Sequence, residues 1–116
     1  MDDIVDREAA FAELRRLHGE SVMPAHGLGS MFADRWCVQA TELERRRFCK
    51  QLGSGVPSRL PDEAEACLEQ AAVEVMPTRV KGFDEAFRTA FRIGFADRVM
   101  AVLELLRASR RGEKNG

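Results

Sequence analysis

Three observations predict an all-α fold, a small helical bundle of about four helices with a long apolar C-terminal helix. Apolar residues recur at helical spacing in four segments, and no stretch alternates with period two over a useful length. Glycine and proline punctuate the boundaries between those segments. With 116 residues, 45% hydrophobic and 32% charged, the chain has the size and apolar content of one globular unit, so residues 1–116 are read as a single helical domain.

The first helix is expected over residues 6–18. Phe11, Leu14 and Leu17 share a face, and Ala9, Ala10 and Ala12 are strong helix formers. Gly19 is a natural stop. Pro24, Gly27 and Gly29 all oppose continuous helix, so residues 19–29 are expected to form a loop. Ser30 then caps a second helix over 30–52, with Phe32, Trp36, Ala40 and Leu43 as its apolar stripe.

A third helix is expected over 61–76. Pro61 suits its first turn, where a missing N–H costs nothing, and Asp62, Glu63 and Glu65 meet the positive end of the helix dipole. Ala64, Cys67, Leu68, Ala71, Ala72 and Val75 supply a face of mostly small residues, and Pro77 closes it. The fourth helix spans 83–109, with a flexible tail over 110–116.

That last helix is the informative one. Phe83, Phe87, Phe91 and Phe95 recur every four residues, Val99 and Leu103 continue the ridge, and Ala86, Ala90, Ile93, Met100 and Leu106 lie on another face. Such a helix is apolar over much of its circumference and is a buried element. At about 1.5 Å per residue it is slightly longer than a compact chain of this size is wide. Two solutions follow: it breaks near Gly94, or it protrudes and pairs with a partner. An alanine at Gly94 should stabilise a straight helix and harm a broken one.

Charge follows the helices. Residues 1–20 carry three basic and six acidic groups, 21–55 five and three, 56–76 one and five, and 77–116 nine and five, for a net charge of −1. Acidic and basic helices alternate, so neighbours in a bundle attract along their rims, by about 0–1 kcal/mol for each exposed pair.

Composition excludes several classes. Disorder needs less apolar content or a larger net charge. A membrane span needs about 20 consecutive apolar residues, and the best run, Val99 to Leu106, contains Glu104. The acidic start Met1-Asp2-Asp3 lacks the basic-then-apolar order of a secretion signal. Cys37, Cys49 and Cys67 are an odd number without a C-x-x-C pair, which fits reduced thiols in a cytoplasm. Abundant arginine and alanine, little lysine and no tyrosine associate with a GC-rich bacterial genome.

No catalytic constellation is visible. His18, His26 and Cys37 match no zinc-ligand spacing, so no metal and no cofactor are expected. The run His26-Gly27-Leu28-Gly29-Ser30 lacks the strand, third glycine and lysine of a phosphate loop, and reads as a connector. Cys49 lies beside Arg45, Arg46, Arg47 and Lys50, whose charge favours a thiolate, but no base accompanies it. Glu63, Glu65, Glu69 and Glu74 form a solvated face.

The expected function is therefore that of a small cytoplasmic protein without enzymatic activity. It would bind another protein, or a second copy of itself as a homodimer, in the manner of an adaptor, inhibitor or accessory factor. The expected contact residues are Phe83, Phe87, Phe91, Phe95, Arg88, Arg92 and Trp36, some of them core residues of the monomer, since aromatic and arginine side chains dominate binding hot spots.

The alternative is a nucleic-acid-binding transcriptional regulator using Arg45, Arg46, Arg47 and Arg98. Ala90, Gly94, Phe95, Met100 and Leu103 have helix-turn-helix spacing. The string Gly94-Phe95-Ala96-Asp97-Arg98 is similar to the turn of arabinose-regulator-type DNA-binding domains. The likeness ends at Ala101, where those domains carry an aromatic residue.

Overall fold

The structure, a computed structural model, describes residues 6–52, 55–75 and 83–115. It is all-α. Five α-helices follow one another: α1 (Arg7–His18), α2 (Met23–Gln39), α3 (Glu42–Leu52), α4 (Asp62–Val75) and α5 (Phe83–Asn115), with a 3-10 turn, Gly19–Val22, joining α1 to α2. Among the described residues the only extended pairing is an isolated bridge between Asp6 and Gly55.

The Asp6 side chain caps α1 by accepting from the Ala9 N–H at 2.8 Å. α1 ends at Gly19, whose φ of 65° is a conformation that L side chains rarely adopt. The segment expected as a loop over 19–29 is instead helical almost throughout. Pro24 falls at the start of α2, where it is tolerated, while Gly27 and Gly29 lie inside the helix. The glycine-rich run His26–Ser30 is therefore neither a connector nor a phosphate cradle.

Tertiary contact explains why helix persists through these glycines. A Cβ on Gly29 would lie 3.0 Å from both the Phe91 carbonyl carbon and the Phe95 nitrogen. One on Gly94 would lie 2.9 Å from the His26 carbonyl carbon. The two glycines thus face the opposing backbone reciprocally, and α2 crosses α5 with no side chain between them. In each case the hydrogen replacing Cβ points at a carbonyl oxygen, the arrangement of a weak Cα–H···O contact. Ala25 and Ala33 on α2 and Ala90 on α5 are fully buried and extend the crossing.

α5 accordingly does not break near Gly94. It runs unbroken for 33 residues, about 50 Å, and continues through Asn115, past the expected end at 109 and through the tail expected to be flexible. Arg, Glu and Lys are good helix formers. Gly112 costs about 1 kcal/mol, too little to stop a helix already nucleated. The helix-turn-helix expectation fails for the same reason: residues 90–103 contain no turn.

The second expected helix, 30–52, is two helices. Ala40 adopts an extended conformation, and Thr41 and Glu44 form a reciprocal capping box. The Glu44 N–H donates to Thr41 Oγ1 at 3.1 Å, and the Thr41 N–H donates to Glu44 Oε1 at 2.8 Å. The reversal puts Leu43 of the expected stripe outside, while Phe48 folds back onto Trp36 with ring centroids 5.7 Å apart. Phe95 stands 5.5 Å from Phe48 and 5.6 Å from Trp36, completing a three-ring cluster that holds α3 to the α2–α5 pair. Phe91 and Phe95 are fully buried, each contributing about 2–3 kcal/mol of transfer free energy.

Acidic α4 lies against basic α5, as the alternation of charge implied. Arg92 reaches Glu65 at 3.2 Å, and Arg88 bonds Glu69 through both amino groups, one at 3.1 Å. Arg7 of α1 pairs with Asp97, and Arg98 with Asp34 of α2, each at 2.6 Å. The apolar face of α5 is buried as far as Val99, and from Glu104 to Ser109 the helix is exposed. The molecule consequently extends 53 × 35 × 22 Å, with one end of α5 projecting from the bundle.

Candidate partner-binding surface

The residues singled out as partner contacts are not free to serve. Phe83, Phe87, Phe91, Phe95 and Trp36 all lie in the core, none more than 6% exposed. The ridge winds around α5, meeting α2 on one side and α3 on another, so the bundle itself supplies the neighbours such a helix needs. Arg88 and Arg92 are committed to α4.

The basic cluster divides in the same way. The Arg45 guanidinium donates to the carbonyls of Cys37 at 2.7 Å and Ala40 at 2.8 Å, closing the C-terminal end of α2 across the break. Its Nε–H is the single buried side-chain donor without a partner among the described residues. Arg98 is held by Asp34. Among the described residues Arg46 keeps only a loose pair with Glu42 at 3.6 Å. Arg47 lines an open cleft of about 350 Å³ floored by Trp36, Phe48 and Leu60.

A surface that the sequence reading did not single out appears where α3 lies alongside the far half of α5. Glu42, Arg45, Arg46, Cys49 and Lys50 form one wall, and Met100, Leu103, Leu106 and Arg107 the other, around a groove of about 430 Å³. Its floor is apolar and its rim cationic. The wall residues recur at i, i+3, i+4 and i+7 on α3 and at i, i+3, i+6 and i+7 on α5, a helical spacing visible in the sequence, but nothing local shows that the two stripes meet. Beyond the groove, Leu105 adds a 63% exposed side chain to the same projecting helix.

Burial pushes the Cys49 thiol up, with Arg107 and Arg7 opposing it without cancelling the effect. Cys37 is raised by burial likewise. Cys49 is therefore groove lining and not an activated nucleophile. His26 is half-buried against Phe11, ring centroids 4.4 Å apart, and desolvation lowers its pKa while Asp97 opposes. His18 meets Phe83 edge-on at 5.9 Å. Among the described residues no three His, Cys, Asp or Glu side chains are grouped to share a metal ion.

Comparison with known proteins adds no relative. No family model, no curated protein and no solved structure matches the chain. The surface must therefore be read from its own chemistry. No described helix is long and apolar enough to cross a membrane.

Proposed function

We propose that this chain is a non-enzymatic protein-binding module of the cytoplasm, an adaptor, inhibitor or accessory factor, that docks another protein on the groove between α3 and the distal half of α5. One observation carries this reading. α5 runs about 24 Å past its last fully buried residue, Val99, and keeps Met100, Leu105 and Leu106 exposed at 36%, 63% and 43%. A helix end with no partner saves free energy by being polar, so apolar groups clustered there favour an occupant. Occupation would act by covering this face and fixing the projecting helix against the partner. The three free cysteines suit a reducing compartment.

Affinity capture from the host with wild-type protein and Leu106→Asp tests the reading. Leu106 is half out of the core, so the variant folds, as circular dichroism will verify. Proteins retained by the wild type and lost by the variant are expected. Identical captures from both would overturn the assignment.

A further inference from the structure

The groove between α3 and α5 carries more information than its apolar floor. Four of its nine lining residues, Arg45, Arg46, Lys50 and Arg107, are cationic, and Glu42 is its one carboxylate. Among the described residues, the chain's own acids do not balance them. Glu65 and Glu69 are spent on Arg92 and Arg88, Asp97 on Arg7, and Asp34 on Arg98. Lys50 makes no ion pair among the described residues. Among the described residues, Arg46 and Arg107 keep only the weak same-helix pairs with Glu42 and Glu104, at 3.6 and 3.4 Å, with both arginines more than two-thirds exposed. Such pairs are worth little and exchange readily for a better carboxylate.

Resting on the binding reading above, we propose that the occupant is an acidic amphipathic helix of another protein. Its apolar face would lie on Met100, Leu103, Leu106 and Cys49, with Glu or Asp side chains along both edges meeting Arg46, Lys50 and Arg107. The α5 wall offers Met100, Leu103 and Leu106 on successive turns and the α3 wall adds Cys49 between its cations, which suits a third helix laid between the two walls, and the Met100 thioether adapts to varied side chains. A second copy fits worse. Symmetric pairing of this face brings the same cationic rim onto itself, and like charges at an interface are disfavoured.

The test uses the full chain and a labelled peptide of about 14 residues with leucine on one face and glutamate on the other. A counterpart has lysine at every glutamate position. Fluorescence anisotropy should show binding of the glutamate peptide, at least tenfold tighter than the lysine peptide, and weakening about tenfold between low and moderate salt. The double variant Arg46→Glu/Lys50→Glu alters two exposed side chains and leaves the core untouched. It should lose the glutamate peptide at least tenfold and bind the lysine peptide better than the wild type does.

Failure of the glutamate peptide to bind, equal affinity for both peptides, or indifference to the double variant would overturn the proposal. A dimer in sedimentation velocity that Leu106→Asp disperses would assign the groove to a second copy instead. A host protein whose capture needs Leu106 but survives Arg46→Glu/Lys50→Glu would overturn the acidic occupant alone and leave the binding function standing.

Discussion

Replacing Gly94 with alanine tests the crossing on which the whole arrangement depends. By helix propensity alone the change is favourable, since alanine gains about 1 kcal/mol over glycine in a helix interior. The surroundings reverse the sign. The added Cβ would sit 2.9 Å from the carbonyl carbon and 3.1 Å from the Cα of His26, whereas carbon atoms pack best about 3.5–4.0 Å apart. These are backbone atoms of a neighbouring helix and cannot swing away as a side chain would. α2 and α5 must therefore separate by about 1 Å, which loosens the fully buried Ala25, Ala33, Ala90, Phe91 and Phe95 together. Overpacking of this kind costs about 1–3 kcal/mol, and the number of residues moved places it at the upper end, for a net loss of about 2 kcal/mol. At about 4 °C per kcal/mol for a chain of this size, melting should fall by about 8 °C. Gly27→Ala is the internal control. It lies inside α2 with nothing within 4 Å of its added Cβ, so propensity acts alone and melting should rise by about 4 °C. Thermal melts followed by circular dichroism decide the matter: shifts of the same sign for the two variants would refute the close crossing.

Two further outcomes follow from other parts of the fold. Thr41→Ala removes the cap that starts α3 and should cost about 1 kcal/mol in chemical denaturation; Glu44→Gln, which keeps an acceptor for the Thr41 N–H, should cost much less, and equal losses would argue against the reciprocal cap. Burial raises the Glu65 pKa, but the Leu60 N–H at 2.8 Å and the Arg92 guanidinium outweigh it and hold the carboxyl below its usual range. Because the folded value lies below the unfolded value of about 4.3, this stabilisation is present above that pH and is lost as pH falls through the folded pKa. Glu65→Gln should therefore flatten the decline in melting temperature between about pH 5 and pH 3, and an unchanged slope would show that other carboxylates govern it.

The helices whose burial follows a local stripe were legible before any coordinates. The α1 segment, α4 and the buried turns of α5 come from periodicity, capping residues and small-residue faces, because a helix chooses its apolar side from the spacing of its own residues. The break at Ala40 was legible too, in Thr41-x-x-Glu44, but the stripe Phe32, Trp36, Ala40 and Leu43 runs straight across it and hides it. The glycines misled for a physical reason. An isolated helix loses about 1 kcal/mol at each of Gly27, Gly29 and Gly94, which argues for a loop and a kink. In the folded chain, Gly29 and Gly94 let two backbones touch, and the contact along the crossing outweighs that loss.

The functional surface divides along the same line. Composition and periodicity alone determined an all-α chain with a greasy C-terminal helix and alternating acidic and basic segments, because these properties depend on neighbours in sequence. Only the tertiary structure decided that the phenylalanine ridge is core, that Arg45 caps α2, and that Arg46, Lys50, Met100 and Leu106 border one groove. Burial and charge pairing depend on which helices meet, and residues some 50 positions apart become neighbours only when the glycine crossing sets α2 on α5 and the capped turn at Thr41 swings α3 alongside.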